Sequence, residues 1–205
     1  MKNEEIYYDA RVDEDVFFVV IENDDSGENP ASGENDECVI HSLGTRHTNH
    51  NPHKIESIIK KYKGAKRKPY VMLSYYEHGN CVWSIRGEGP KCEFDSVDTA
   101  GLFYAGKVFI KENSKVSDEE FNAKLMDYAR QTCTEYTAWC NGSIYKYTIY
   151  KARYDKEIDT DFFEYQDQDL LEEMASLTGI AEYSNACTLA MEDYNTITSN
   201  IARKN

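Results

Sequence analysis

Two β-prone runs, Tyr70-Val71-Met72-Leu73-Ser74-Tyr75-Tyr76 and Cys81-Val82-Trp83-Ser84-Ile85-Arg86, are joined by the polar stretch Glu77-His78-Gly79-Asn80. Aromatic and β-branched side chains fit a half-buried pleated surface, and a Gly/Asn turn closes antiparallel strands, so this stretch predicts a hairpin. Working outward, Val16-Phe17-Phe18-Val19-Val20-Ile21 is a continuous apolar run too short for a buried helix and suited to a buried strand. Residues 101–111 and 144–154 read as further strands, the latter entered through the turn Asn141-Gly142-Ser143. Residues 52–62 place Ile55, Ile58, Ile59 and Tyr62 at helical spacing with lysines on the other face and Gly64 as a stop. Ser117-Asp118-Glu119-Glu120 is a capping box that opens a helix with the buried stripe Phe121, Leu125, Tyr128 and Ala129. From about residue 167, Leu170, Leu171, Met174, Leu177, Ile180 and Ala181 predict a helical C-terminal part, interrupted at Gly179. Strands mixed with a few helices, with no repeating βα unit, predict an α+β fold: a mostly antiparallel sheet with two to four helices packed against it.

The chain has 205 residues, enough for one domain or two small ones, and a single α+β domain over 1–205 is the expectation. No run reaches the roughly 18 apolar residues of a bilayer span, and the acidic start does not suit a signal peptide, so a soluble, cytosolic protein is expected. The 37 acidic and 23 basic side chains leave a net charge of −14, which argues against direct nucleic-acid or anionic-membrane binding. That charge is blocked along the chain. Residues 1–37 hold thirteen acids against Lys2 and Arg11, a balance of −11; residues 54–68 hold seven cations against Glu56, a balance of +6; the last third is acidic again. Residues 23–37, with Gly27, Pro30 and Gly33, form a long acidic loop of the kind that is functional or mobile. The six cysteines are scattered without a C-x-x-C pair and read as reduced thiols, mostly core fillers; Cys133 and Cys140, with Trp139 between them, are close enough in sequence for a bridge or a metal.

Three patterns bear on chemistry. His41, His47, His50 and His53 include three imidazoles at every third position beside Cys38, Asp36 and Glu37, a zinc candidate centred on His47, His50 and His53; the competing reading is a polar, His-rich loop, because Pro52 disfavours the tight helix that would gather them. His78 beside Glu77, with Asp95 further on, could serve acid/base work or simply fill a polar turn. The cations between Lys60 and Lys68 could touch phosphate around Tyr62, solvate a helix face, or dock an acidic patch. No P-loop, G-x-G-x-x-G, G-x-S-x-G or kinase set is present. Dense carboxylates raise a further possibility: duplex DNA carries about one negative charge per 1.7 Å, and an ordered acidic surface can take its place in a basic groove.

Glu28-Asn29-Pro30, Leu43-Gly44-Thr45 with His50, Tyr76-Glu77-His78 followed by Ser84, and Cys92-Glu93-Phe94-Asp95-Ser96 leading to Gly101 resemble a family of uncharacterised tailed-bacteriophage proteins with elements N-P-R-E-W-D-N-L-G-T, Y-D-H-S-G and W-D-S-G-x-x-G. The order matches over residues 28–149. Phe94 replaces the Trp, Val97 the first Gly, Gly79-Asn80 the Ser-Gly, and the W-D-N part is missing before Leu43. The resemblance implies a phage-encoded, non-enzymatic protein that binds and inhibits a host factor, and acidic proteins of that kind include inhibitors of restriction and CRISPR effectors. With the charge pattern, the expectation is a DNA mimic that contacts a basic nucleic-acid-binding surface of a host protein through Asp24, Asp25, Glu28, Glu34, Asp36 and Glu37, without cofactor. The alternatives are a small metal-dependent enzyme, with zinc a possible ion, built on the His41–His53 cluster with His78 and Asp95, and a phage structural or assembly protein.

Overall fold

A computed structural model describes residues 10–12, 15–33, 37–46, 49–153 and 171–203. The fold is α+β, with helices packed on two mostly antiparallel four-stranded sheets. The chain, expected to form one domain over 1–205, divides into two compact units: residues Met1–Gly27 with Gly142–Asn205, and the intervening Glu28–Asn141. The second is therefore an insertion between two strands of the first. No helix among the described residues is long and apolar enough to cross a membrane.

The first unit is a sheet in the order β1 (Ala10–Val12), β2 (Asp15–Asn23), β7 (Ile144–Arg153), β8 (Leu171–Ala181), all antiparallel. Alternation puts Phe17, Val19 and Ile21 on one face with Tyr147 and Ile149, and α4 (Tyr183–Ala202) covers that face with Ala186, Ala190 and Tyr194, one residue per helical turn. The helix expected from about 167 is a correction: residues 171–181 form a strand, and the helix begins at Tyr183. The misleading spacing comes from bulges. Tyr145, Tyr147 and Ile149 alternate along β7 but face Ile180, Leu177 and Ala175, because β8 carries an extra residue opposite Lys146 and another between the Ile149 and Tyr150 pairs. A bulge stretches the two-residue period of a strand to three, which imitates a helix stripe. Gly179 supplies the left-handed backbone at the first bulge, with φ +72°.

The second unit is a sheet in the order β3 (Val39–Ser42), β6 (Ser96–Tyr104), β4 (Tyr70–His78), β5 (Asn80–Ile85). The β4–β5 hairpin turns on Gly79 at φ +84°. On one face lies α3 (Asp118–Cys140), whose Phe121, Leu125, Ala129, Cys133 and Tyr136 pack on Ile40, Leu73, Trp83 and Phe103. Ser117 caps it by accepting a hydrogen bond from the Glu120 amide, while the Glu120 carboxylate pairs with Lys124. On the other face α1 (Pro52–Lys61) sets Ile55 and Ile58 against Leu102, Met72 and Tyr104. The strand expected over 101–111 is shifted: β6 ends at Tyr104, and Lys107–Glu112 is a short helix, α2, whose Phe109 packs edge-on to Phe121 and stacked on Tyr128. All six cysteines are free thiols. Cys140 meets Cys81, sharing a hydrogen bond that holds the Cys81 thiol below its ordinary pKa and raises that of Cys140.

An exposed sheet edge invites pairing with other chains, and β5 is an edge strand. Helix α3 closes it with side chains one helical turn apart: Asn141 accepts from the Cys81 amide and donates to the Cys81 carbonyl, both at 2.9 Å, while Thr137 Oγ1 accepts from the Trp83 amide at 2.9 Å. Asn141→Ala leaves both Cys81 backbone groups without these partners and is expected to cost about 2 kcal/mol, against about 1 for Thr137→Val. Denaturant titration checks the order; equal midpoints for Asn141→Ala and the parent chain would rule the edge lock out.

Candidate functional site

The six carboxylates expected to form a partner-binding patch divide between the units: Asp24 and Asp25 in the first, Glu28, Glu34, Asp36 and Glu37 in the second. Glu34 and Asp36 lie outside the described residues. Asp25, Glu28 and Glu37 are exposed, whereas Asp24 is 7 % exposed and occupied internally. Its carboxylate accepts from the Ser26 amide and hydroxyl and from the Gly179 amide at 2.9 Å, so it anchors the bulge of β8 to the turn after β2. Burial raises the pKa of Asp24, but the Ser26 hydroxyl, the Gly179 and Ser26 amides and the Lys146 ammonium outweigh it and hold the group below its ordinary value.

The sequence charge divides unevenly between the two units. The stretches 1–27 and 142–205, which build the first unit, contain 21 acidic and 8 basic residues, a balance of −13, while 28–141 contains 16 and 15, a balance of −1. The two stretches are joined where β2 pairs with β7 across the insertion. On that unit Asp25, Glu173, Glu182 and Glu192 are exposed, with no cation paired to them among the described residues; Glu22 and Glu172 are offset by Lys146 and Lys151. The acidic loop after Asp25 is pinned rather than loose as far as Gly33: Asn29 meets Asn49, and Asn49 donates to the carbonyls of Ala31 and Ile40.

The described histidines form no group of three or more candidate metal ligands. His47 lies outside the described residues; His50 sets Nδ1 3.0 Å from the Gly44 carbonyl, and His53 sits on the exposed first turn of α1. His41, half-buried on β3, titrates below its ordinary pKa because of burial and the Lys54 charge. Among the described residues no three His, Cys, Asp or Glu side chains come together in a way that could hold a metal ion. His78 and Asp95 do meet, at 3.2 Å, and Cys92 Sγ donates to the same Asp95 oxygen at 3.4 Å. The imidazole is 77 % exposed, and Ser96 Oγ is held by the Cys92 amide and the Pro90 carbonyl. This is a braced surface turn with no activated nucleophile.

An apolar cleft of the second unit lies beside that turn. Between the Leu73–Gly101 and Tyr75–Val97 pairs, β6 has two more residues than β4, and this swelling opens a cleft of about 370 Å³ lined by Leu43, Tyr75, Trp83, Val97 and Ala100. The amide of Leu43 holds the Ala100 carbonyl of the swelling at 2.8 Å. At the rim Arg46 is ion-paired with Glu77, and the Tyr75 hydroxyl donates to Glu77 at 2.7 Å; burial and that bond raise the Tyr75 pKa. Such a neutral, hydrogen-bonded rim over an apolar floor can hold a side chain but offers no general base in a free state. Phe94, in the neighbouring turn, is 89 % exposed, and Val97 and Leu43 of the cleft are 51 % and 39 % exposed. Sequence reasoning took Phe94 only as a replaced Trp. A lone aromatic inside a polar turn was the signal that it faces solvent, because nothing in such a turn can bury it.

The fold and surface define a two-unit α+β protein with one strongly acidic unit and a near-neutral inserted unit bearing an apolar cleft. No family model, curated protein or solved structure matches the chain.

Proposed function

We propose that the chain is a non-enzymatic, phage-encoded interaction protein whose acidic unit occupies the basic nucleic-acid-binding surface of a host defence factor of the restriction or CRISPR type. The observation that carries it is the charge segregation: a balance of −13 on the stretches forming one unit and −1 on the other. Solubility alone needs no such segregation, whereas a surface that competes with a polyanion needs its carboxylates on one body. The exposed Phe94, Val97 and Leu43 supply an apolar contact of the kind that anchors protein interfaces.

The acidic contact is tested on a purified restriction or CRISPR effector carrying a labelled duplex. The chain is expected to displace the duplex with a potency that falls steeply as salt rises. A variant with Asp25→Asn, Glu173→Gln, Glu182→Gln and Glu192→Gln should lose about tenfold or more in potency with unchanged circular dichroism, while Glu28→Gln with Glu37→Gln changes it less, since those two lie on the other unit. Failure of the chain to displace duplex from any such effector, or full potency in the fourfold variant, removes the acidic unit as the contact.

A further inference from the structure

The inserted unit carries a cationic surface that the acidic-decoy reading does not use. Lys54, Lys60 and Lys61 on α1, and Lys63, Lys66 and Lys68 in the loop after it, are all exposed. None is ion-paired among the described residues, and Glu56 is the one acid in the stretch. Arg67 is different. It is drawn inward to Asp118 at 2.8 Å, to the carbonyls of Asn113 and Val116, and over the Phe121 ring at 4.7 Å. The sequence has thus spent its one guanidinium here on the fold and left six exposed ammonium groups without a carboxylate partner among the described residues. The opposite side of α1 is fixed, with Ile55 and Ile58 buried against the sheet, so the lysine face is held on a rigid support.

We propose that this face of α1 and the following loop is a docking surface for the sugar-phosphate backbone of duplex nucleic acid, bound without regard to base sequence. The inference stands apart from the function proposed above. Charge complementarity sets the partner class, and the side chains narrow it. Lys54 and Lys61 are two helical turns apart, about 10.5 Å at 1.5 Å per residue, and that length of duplex axis presents about six phosphate charges. Lysine is a compact point charge suited to phosphate oxygens, and Arg67, the one side chain of the stretch with a forked guanidinium for base edges, is turned inward to Asp118. Tyr62, the aromatic in the stretch, has its hydroxyl beside that of Tyr104 and its ring under the Lys61 ammonium, so it provides no free platform for an unpaired base. A duplex backbone satisfies these features together.

The test is fluorescence anisotropy of the full chain with a labelled mixed-sequence duplex of about 20 base pairs, titrated between about 50 and 200 mM salt. The expected result is binding at the low-salt end, equal for an unrelated duplex, with a log–log salt slope near −5 if about six phosphates are neutralised. The variant Lys54→Gln, Lys60→Gln, Lys61→Gln, Lys63→Gln should bind at least about tenfold more weakly with a slope shallower by about 3 to 4, while Lys91→Gln with Lys115→Gln leaves binding near that of the parent chain. Neutralising Asp25, Glu173, Glu182 and Glu192 should not weaken duplex binding, which separates this surface from the acidic one. Absence of duplex binding at low salt, or equal binding by the four-lysine variant, overturns the proposal. So does sedimentation showing low-salt self-association that the four-lysine variant abolishes while the duplex stays unbound, because the occupant would then be the acidic unit of a second copy.

Discussion

Tyr136→Ala is expected to lower the stability of the inserted unit by about 4 kcal/mol, the range for removing a large buried aromatic. Its side chain is fully buried near the C-terminal end of α3, with its ring 5.6 Å from that of Trp83 and stacked at 5.9 Å, nearly parallel, on Trp139. Trp83 in turn meets Tyr75 at 4.9 Å, so truncation opens a void that touches the floor of the cleft as well as the helix–sheet seam. Tyr136→Phe keeps the ring and should cost only about 1 kcal/mol, the worth of the hydroxyl's contacts. The measurement is unusually clean. The protein has two tryptophans, both in this unit and both against Tyr136, so tryptophan fluorescence, excited beyond the tyrosine absorption band, follows the unfolding of the inserted unit. A denaturant midpoint shift worth less than about 1.5 kcal/mol for the Ala variant would mean that the aromatic stack does not hold α3 to the sheet.

Elements whose signals are local were legible in the sequence. The β4–β5 hairpin, α1 with its Ile55 and Ile58 stripe, the Ser117 cap and the β2 run all stand where period, turn chemistry and capping put them. Misreadings arise where long-range pairing overrides the local pattern. Residues 171–181 pair with β7 through two bulges, and the resulting three-residue spacing of Leu177 and Ile180 imitates a helix. The insertion is equally invisible to a local reading, since Phe17 pairs with Lys151 and nothing near either residue announces the other. Yet that pairing determines the electrostatics. It joins the two terminal stretches, which carry 21 acids against 8 cations, in one unit, and the boundary between the units falls between Asp25 and Glu28. The cleft was illegible for a similar reason. Leu43, Tyr75 and Val97 come from three strands or their extensions, and the space between them depends on two residues by which β6 exceeds β4.

Asp24 and Asp25 are neighbours of identical type, and their substitutions are expected to diverge. Asp24→Ala removes the acceptor for the Ser26 amide and hydroxyl and for the Gly179 amide in a site 7 % exposed, and should cost the first unit about 3 kcal/mol; Asp25→Ala, on an exposed side chain, should stay within about 0.5. Asp24→Asn keeps one carbonyl oxygen and should fall between them, because that oxygen can still serve Ser26 or Gly179 but the amide nitrogen cannot accept from the other. The pH dependence follows from the direction of the shift. Asp24 titrates lower in the fold than its unfolded value of about 3.9, so the folded state favours the ionised form, and the stability this confers is fully present above that value and is lost as pH falls through the lower, folded pKa. The parent chain should therefore hold a flat contribution from this group near neutrality and lose it in acid, whereas the acid limb of Asp24→Ala should be shallower. Circular dichroism melts across the acid range measure both limbs. Superimposable limbs, or an Asp24→Ala penalty no larger than that of Asp25→Ala, would place the carboxylate outside the β8 bulge and return it to the exposed acidic set, where its effect would appear in displacement of duplex from the effector and not in folding.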